Sequence, residues 1–391
     1  MKRSLTAAVA AGVAALALAV PGGAGATAVI TSPWSQDTVP LPPGAGGGAL
    51  QAVSCLAGGA CVAVGNYLDA ATGSYQPLAE TRSGGTWTAT ALPVPSGAQA
   101  GYLKGVDCLT VKDCWAAGYW VNSSKVNRPL VEKWNGTAWT VQASPPLPHG
   151  AASGELLAVS CSSGSLCDVA GMTSYPGQDS FFGLVDRLKG GTWTSEGIQV
   201  AAADSDELTG IACPNAFGCE AVGDWIGNNG EDQPLAMGWN GEEWAQQTAP
   251  LPAGGSSGSL TALSCQGACT ASGMFTNSRG ISRPWAARGD GETWTAQTVA
   301  LPDGDSGDLT GVSCFTTGHC SAAGFHSPSQ GGSSGLAENW NGTTWTKQAL
   351  ASPAAGDFPN ALSCGSAANC VLVGAIQSGQ GEPLAGHKGT T

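Results

Sequence analysis

Four short runs in one stretch of the chain decide its fold: LKGVDC at residues 103–108, CWAAG at 114–118, PLVEKW at 129–134 and AWT at 138–140. Each run is rich in apolar or aromatic residues, and turn residues separate it from the next, as expected of consecutive antiparallel strands. Asn135-Gly136 between the last two runs predicts a hairpin turn, because both residue types tolerate a positive φ. Four such strands form one blade of a β-propeller.

The same unit occurs seven times along the chain. The first cysteine of a closely spaced pair recurs every 49 to 53 residues, and a fixed period of this size is typical of an array of one supersecondary unit. The chain has 391 residues, including 59 Gly and 23 Pro, which disfavours helices. We therefore predict an all-β, seven-bladed β-propeller with four antiparallel strands per blade. An open β-solenoid is the alternative architecture.

The two ends of the chain predict how the ring closes. The last repeat stops after the run Pro383-Leu384-Ala385, before any tryptophan run, whereas the segment from Trp34 to Leu41 parallels the fourth run that begins at Trp87. We expect the N-terminal strand to complete the seventh blade as its outermost strand. The runs that precede the first cysteine of each pair are then innermost.

Residues 1–28 have the pattern of a secretory signal peptide. Lys2 and Arg3 precede an apolar run from Leu5 to Val20, and Ala26-Thr27-Ala28 matches a cleavage site. A membrane anchor is the alternative, but the run is shorter than the ~20 residues that a span requires. We expect residues 29–391 to form one exported propeller without a membrane span. The formal net charge of −13 argues against nucleic-acid binding.

The paired cysteines are predicted to form disulfides within each repeat, because export leads to an oxidising compartment. Metal binding and redox catalysis are weaker alternatives, since no second pair stands at zinc-finger spacing and no C-x-x-C occurs. The predicted bridges are Cys55–Cys61, Cys108–Cys114, Cys161–Cys167, Cys213–Cys219, Cys265–Cys269, Cys314–Cys320 and Cys364–Cys370.

The connections that follow the second and fourth strand of each blade are long and differ among repeats, and they share one face of a propeller. We name it the long-loop face and expect specificity there. Aromatic and polar residues suited to stacking on sugars, and two arginines suited to an acidic group, lead to a predicted site: Tyr67, Tyr119, Trp120, Asp224, Trp225, Phe275, His326, Arg128 and Arg283. The alternative is that the aromatic residues pack between blades.

Other motifs predict no catalysis. Ser306 and His319 resemble parts of the trypsin-like protease motifs, but they fall on opposite faces of the predicted blade. The acidic stretches 204–207 and 303–308 are read as solvated turns rather than calcium sites. The repeated Glu80, Glu132 and Glu338 are read as structural. We therefore expect no enzyme activity, no metal and no cofactor.

Two resemblances support a binding function. The turns Asp290-Gly-Glu-Thr-Trp294 and Asn341-Gly-Thr-Thr-Trp345 resemble the Asp-box of sialidases, one residue short, and the sialidase arginine triad is absent. The whole mature chain resembles secreted, disulfide-stapled, lectin-like propellers of actinobacteria, including the propeller lectin subunit of umbrella toxin particles. This resemblance implies a targeting subunit that binds a glycan and docks to a secreted protein partner.

The sequence therefore predicts a secreted, non-catalytic module that binds carbohydrate or a cell-envelope surface. A scaffold that docks an adaptor or peptide in the propeller channel is the second hypothesis. A polysaccharide hydrolase or lyase is the third, because propellers also carry such activities.

Overall fold

A computed structural model describes residues 34–389 except 197, 199, 201–202, 216–217, 228–229, 303, 351–355 and 378–380. The predicted signal peptide, residues 1–28, and Asp303 therefore lie outside the described residues. Within the described residues the chain is all-β and contains 28 strands in seven four-stranded antiparallel sheets. The predicted seven-bladed propeller is confirmed.

The first four blades follow the chain from the innermost strand outward. Blade 1 contains β2 (Ala45–Cys55), β3 (Cys61–Asp69), β4 (Ser74–Ser83) and β5 (Thr86–Ala91). Blade 2 contains β6 (Ala100–Thr110), β7 (Asp113–Val121), β8 (Asn127–Trp134) and β9 (Trp139–Val141). Blade 3 contains β10 (Ser153–Ser163), β11 (Leu166–Ser174), β12 (Phe181–Lys189) and β13 (Thr192–Glu196). Blade 4 contains β14 (Ala203–Asn215), β15 (Gly218–Gly227), β16 (Asp232–Trp239) and β17 (Trp244–Gln247).

The last three blades complete the ring. Blade 5 contains β18 (Gly255–Gln266), β19 (Ala268–Asn277), β20 (Ser282–Gly289) and β21 (Trp294–Thr298). Blade 6 contains β22 (Ser306–Thr316), β23 (His319–Ser327), β24 (Ser334–Trp340) and β25 (Trp345–Gln348). Blade 7 contains β26 (Asp357–Ser366), β27 (Asn369–Ile376), β28 (Glu382–Lys388) and, as its outermost strand, β1 (Ser35–Gln36).

The predicted closure of blade 7 by the N-terminal strand is confirmed. Ser35 pairs with His387 and Gln36 pairs with Gly386, antiparallel to the last strand of the chain. Trp34, which is 2% exposed, packs in the core of this blade. The first and last segments of the described chain therefore lie in one sheet, and the ring is closed by hydrogen bonds rather than by a continuous chain.

All seven predicted disulfides are present, and each bridges the ends of the first two strands of one blade. Among the described residues no cysteine is free. The disulfide turns and the turns between the third and fourth strands lie on the same face of the ring. We call it the short-turn face; it is opposite the long-loop face.

The glycine near the middle of each second strand has a steric cause. A Cβ atom on Gly65 would lie 2.0 Å from the carbonyl oxygen of Ala49, and one on Gly118 would meet the carbonyl oxygen of Tyr102 at the same distance. These glycines face a register shift in the innermost strand, such as the one between Leu50 and Ala52. Only glycine allows the two backbones this close approach.

A ring of hydrogen bonds around the channel joins neighbouring blades. The side chain that precedes the first cysteine of one blade accepts a bond from the backbone N–H of the equivalent cysteine in the next blade. The six acceptor–donor pairs are Ser363–Cys55, Ser54–Cys108, Asp107–Cys161, Ser160–Cys213, Ser264–Cys314 and Ser313–Cys364, at 2.7–3.1 Å. The seventh place has Ala212, which offers no such acceptor.

The Asn-Gly turns differ from the sequence expectation in one respect. Gly136 has a φ of 92°, as expected, but Asn135 is not among the described residues with a positive φ. Its side-chain Oδ1 instead accepts hydrogen bonds from the backbone N–H groups of Thr137 and Ala138, at 2.9 and 3.0 Å. Asp290 and Asn341 form the same turn. The asparagine is therefore used for its side-chain acceptor rather than for backbone freedom.

Candidate functional site

One cross-strand pair from each blade lies at the long-loop end of its first two strands, next to the residues that line the channel, such as Gln51, Lys104 and Thr209. In each pair, the innermost strand contributes the residue just before the leucine or proline at its register shift. The second strand contributes the residue that directly follows its repeated glycine. We call these pairs the channel-mouth ring: Ala49–Asn66, Tyr102–Tyr119, Glu155–Met172, Glu207–Asp224, Ser259–Met274, Asp308–Phe325 and Phe358–Ala375. The chemistry of these pairs varies strongly from blade to blade.

Three tyrosine rings form a ladder on the blade 1 and blade 2 side of the mouth. The rings of Tyr102 and Tyr119 stack with centroids 4.9 Å apart, and Tyr75 lies 5.6 Å from Tyr102. Tyr75 is exposed, whereas the other two are half-buried. Burial, followed by the negative charge of Glu155, raises the pKa of Tyr119 to about 12, so its hydroxyl remains protonated. The ladder offers aromatic surface and hydroxyl groups together.

Carboxyl groups continue the ring on blades 3 and 4. Glu155 accepts a hydrogen bond from the side-chain amide of Asn127 at 2.6 Å. Burial raises the pKa of Glu207, and the nearby charges of Glu155 and Asp232 raise it further. The pKa of Asp224 rises to about 7, because of burial first and then the charges of Glu207, Asp232 and Asp206.

This carboxyl cluster can both donate and accept hydrogen bonds near neutral pH. A group with a pKa of about 7 is half protonated there, whereas an ordinary aspartate is fully ionised. Asp224 and Glu207 are directly opposite each other in the sheet, so their side chains lie on the same face. The tyrosine ladder and this cluster adjoin through Tyr119 and Glu155.

The predicted aromatic residues divide between the mouth and the core. Tyr67 and Tyr119 are half-buried in second strands. Trp120 and Trp225 are also half-buried and pack against interblade core clusters. Phe275 is only 8% exposed and belongs to the core between blades 4 and 5. Packing between blades thus accounts for Phe275 and for part of the surface of the two tryptophans.

The predicted charged residues have different surroundings. Arg128 is half-buried opposite Trp120 in the sheet of blade 2. The guanidinium of Arg283 donates hydrogen bonds to the backbone carbonyls of Leu301, Pro302 and Asp305 at 2.7–2.9 Å. Arg283 therefore holds the loop before β22.

His326 lies in β23 of blade 6. Its Nε2 is 3.1 Å from Ser334 Oγ and 3.3 Å from Lys347 Nζ. Burial and the charge of Lys347 lower the pKa of this imidazole. Of the polar residues predicted for the site, which are Asp224, His326, Arg128 and Arg283, the structure brings Asp224 into the carboxyl cluster.

Sequence reasoning missed Tyr102, Glu155 and Glu207. A signal for them was present in the sequence, because all three occupy the same repeat position, just before the leucine that recurs in six repeats, where other blades have Ala49, Ser259 or Asp308. The prediction assigned specificity to the loops, whereas these three residues lie near the long-loop ends of the innermost strands β6, β10 and β14. Because the strands of all blades have the same register, Tyr102, Glu155 and Glu207 lie at the same level in neighbouring blades.

The structure also explains two groups of residues that resemble a catalytic site or a metal site. Ser306 and His319 belong to opposite ends of the β22–β23 hairpin, since Ser306 pairs with Ser327 and His319 with Thr316. Ten residues of strand separate them by roughly 30 Å, too far for a nucleophile and its base. Asp168 lies near the sulfur atoms of Cys213 and Cys219, but those sulfurs form a disulfide and Asp168 pairs with Arg187 at 2.7 Å.

Comparisons with known proteins identify the fold but no family. Neither the comparison with protein families nor that with curated proteins finds a match. Among solved structures, YCF48 bound to D1 peptide is similar at a TM-score of 0.56 and 12% identity, over 93% of this chain and 97% of that chain. A PL25 ulvan lyase follows at 0.51 and 9%, over 88% and 95%. At such identity these likenesses show the fold alone.

A sialidase of Trypanosoma rangeli is also similar, at a TM-score of 0.45 and 9% identity. This chain spans 57% of that protein's length. A TM-score this low carries no argument about function.

One sequence prediction is corrected by these comparisons. The chain was expected not to be an enzyme, and that prediction is wrong, because the ulvan lyase to which its fold is similar is an enzyme. The overlap with enzymes rests on about 10% identity or less and assigns no reaction to this chain.

Among the residues that the structure describes, we find no helical segment with the length and apolar character that membrane crossing requires. Seven intrachain disulfides are typical of proteins outside the reducing cytosol.

Proposed function

We propose that this protein is a secreted propeller that binds carbohydrate at the channel-mouth ring. The observation that carries the proposal is that an aromatic ladder adjoins a carboxyl cluster near one end of the channel. Sugar rings present apolar C–H faces to aromatic rings and hydroxyl groups to carboxyl oxygens. Tyr102, Tyr119, Glu155, Glu207 and Asp224 supply both.

Four of the other predicted residues take supporting places in this proposal. Tyr67, Trp120 and Trp225 offer further half-buried aromatic surface around the long-loop face, with Arg128 beside Trp120. The resemblance to lectin-like propellers of umbrella toxin particles favours the same ligand class and a role as a targeting subunit on a cell envelope.

A glycan array with the oxidised protein, residues 29–391, tests the proposal. We expect selective binding by the unaltered protein and a loss of at least tenfold in Tyr119→Ala and in Glu207→Gln/Asp224→Asn. Phe181→Ala is the matched control, because Phe181 is an exposed aromatic residue of blade 3 outside the ladder. Binding that survives both ladder and carboxyl variants, or no binding to any glycan, would overturn the proposal.

Cleavage of a polysaccharide is a second candidate function. The specific observation is Asp224, whose pKa of about 7 keeps it partly protonated beside Glu207. General acid–base chemistry needs such a pair, with one group able to give a proton and the other able to take one. Incubation with acidic and neutral polysaccharides, followed by detection of new reducing ends and of unsaturated products, distinguishes hydrolysis, elimination and binding alone. Asp224→Asn should abolish any such product.

A further inference from the structure

We infer that the short-turn face carries a pocket, between blades 1 and 2, that takes one aromatic side chain of a partner polypeptide. The pocket has a volume of about 250 Å³. Leu56, Ala60, Val62 and Val111 form apolar walls, and Thr81 also lines the pocket. It lies on the face opposite the channel-mouth ring, so the inference goes beyond the proposed function.

The pocket exists because blade 1 has two small residues at a repeated place. Val62 of the second strand pairs with Thr81 of the third strand, and this pair faces blade 2. The equivalent pair in blade 2 is Trp115 and Lys133. There the Lys133 ammonium lies 4.5 Å from the ring centre of Trp115, which is 5% exposed and packs against blade 3.

The equivalent places in the other blades are also occupied by larger or hydrogen-bonded side chains. Asp168 and Arg187 form an ion pair in blade 3, and Glu220 accepts a bond from Gln247 in blade 4. Arg288 donates to Thr270 in blade 5, Ser321 bonds Asn339 in blade 6, and His387 bonds Asp37 in blade 7. Among the described residues, blade 1 alone has a pair with neither bulk nor a side-chain hydrogen bond.

The shape and the rim of the pocket indicate its occupant. An indole fills the equivalent space one blade further on, so a tryptophan or similar planar aromatic side chain suits this pocket. Val111 at the rim is 55% exposed, more than Tyr75 at 41% or Phe181 at 44%. Its contact with a ligand would remove this apolar surface from water.

The size of the pocket favours a single side chain over two other occupants. Sites for drug-sized molecules usually measure ~300–1,000 Å³, which is more than this pocket provides. A stable dimer of this chain would bury on the order of 1,600 Å², and a pocket for a single side chain supplies little of that area. The pocket therefore fits an anchor residue, around which a partner's remaining surface makes further contacts.

The experiment uses the oxidised protein with labelled valine and leucine methyl groups. The probe is the blocked peptide Gly-Gly-Trp-Gly-Gly, with Gly-Gly-Ala-Gly-Gly as the matched control. We expect the tryptophan peptide to shift the methyl signals of Leu56, Val62 and Val111 with a Kd on the order of 1 mM, because one side chain contributes modest affinity. No shift at 10 mM peptide would overturn the inference.

Exchanging the equivalent residue pairs of blades 1 and 2 gives matched variants for this experiment. Val62→Trp/Thr81→Lys places the blade 2 pair into the pocket and should reduce binding at least tenfold while the protein remains folded. Trp115→Val/Lys133→Thr opens the equivalent place in blade 2 and should add a second site. If the filled variant does not fold, Val111→Glu places a charge on the exposed rim and should reduce binding tenfold. Unchanged affinity in a folded filled or rim variant would contradict the inference.

Discussion

Single buried carboxyl groups recur at one position of the third strand. Glu80 and Glu132 are completely buried, and their carboxyl oxygens have no hydrogen-bond partner in the structure. Burial alone raises the pKa of each to about 8. Asp186 and Glu338 occupy the same position in blades 3 and 6, and their pKa values rise to about 7, chiefly through burial. These groups are therefore largely neutral in the folded protein at pH 6.

This burial makes stability depend on pH. Between an unfolded pKa of 4.5 and a folded pKa of about 8, folded Glu132 retains a proton that the unfolded chain releases. The free energy of unfolding therefore decreases as pH rises through this window. Glu132→Gln cannot ionise, so we expect it to match the unaltered protein at pH 5 and to exceed its stability by about 3 kcal/mol at pH 9.

Chemical denaturation at the two pH values measures the effect of Glu132→Gln. The control is Glu243→Gln, at an exposed turn position, which should leave the pH profile unchanged. An equal loss of stability with pH in Glu132→Gln and the unaltered protein would show that Glu132 is not the group responsible.

The innermost strands show how a repeated element keeps its framework and varies its chemistry. The serine or aspartate before the first cysteine bonds the next blade in six places, whereas the residue before the repeated leucine changes from Tyr102 to Glu155, Glu207 and Asp308. The first set holds neighbouring blades together near the disulfides. The second set lies at the other end of the same strands, where the candidate ligand site is.

The incomplete hydrogen-bond ring leads to a prediction for blades 4 and 5. Ala212→Ser should provide an acceptor for the backbone N–H of Cys265 and raise the free energy of unfolding by ~0.5–1 kcal/mol. The complementary variant is Ser264→Ala, which removes the acceptor of the Cys314 N–H. It should lower the free energy of unfolding by ~1 kcal/mol or more. Thermal and denaturant unfolding measure both. A destabilising Ala212→Ser would mean that the hydroxyl is not accommodated there.

Closure of the whole ring depends on a polar network between the two ends of the chain and blade 1. Asp37 accepts hydrogen bonds from Arg82 Nε at 3.1 Å and from Trp87 Nε1 at 2.9 Å. His387 Nδ1 lies 2.5 Å from the other carboxylate oxygen of Asp37. The side chains of Asp37, Arg82 and His387 are nine-tenths or nearly nine-tenths buried. One aspartate in the segment that follows β1 thus links β4, β5 and β28.

Loss of Asp37 should therefore weaken the molecule as a whole. Asp37→Ala leaves the Arg82 guanidinium buried without its carboxylate, and we expect a loss of ~3–5 kcal/mol in the free energy of unfolding. Hydrogen exchange should increase first in β28, because its outer partner strand has only two residues. Asp179→Ala, at an exposed loop position, is the control and should change neither quantity. Unaltered exchange in β28 would show that closure does not depend on Asp37.

The sequence by itself determined the architecture, the blade count, the disulfide pairing and the closure of blade 7. Each of these follows from a pattern repeated seven times, since a fixed cysteine period and a split last repeat restrict the chain to one closed ring. The sequence also predicted the Asn-Gly turns, although it assigned backbone freedom to an asparagine that acts through its side chain.

Only the tertiary structure decided which variable residues meet. Tyr119, Glu155 and Asp224 are far apart in the chain, and the arrangement of blades around the axis brings them to one rim. The same arrangement places Phe275 in the core, engages Arg283 with loop carbonyls and leaves the place beside Val62 empty. Local patterns define each strand, but contacts between blades depend on side-chain volume and direction across two sheets, which no single repeat contains.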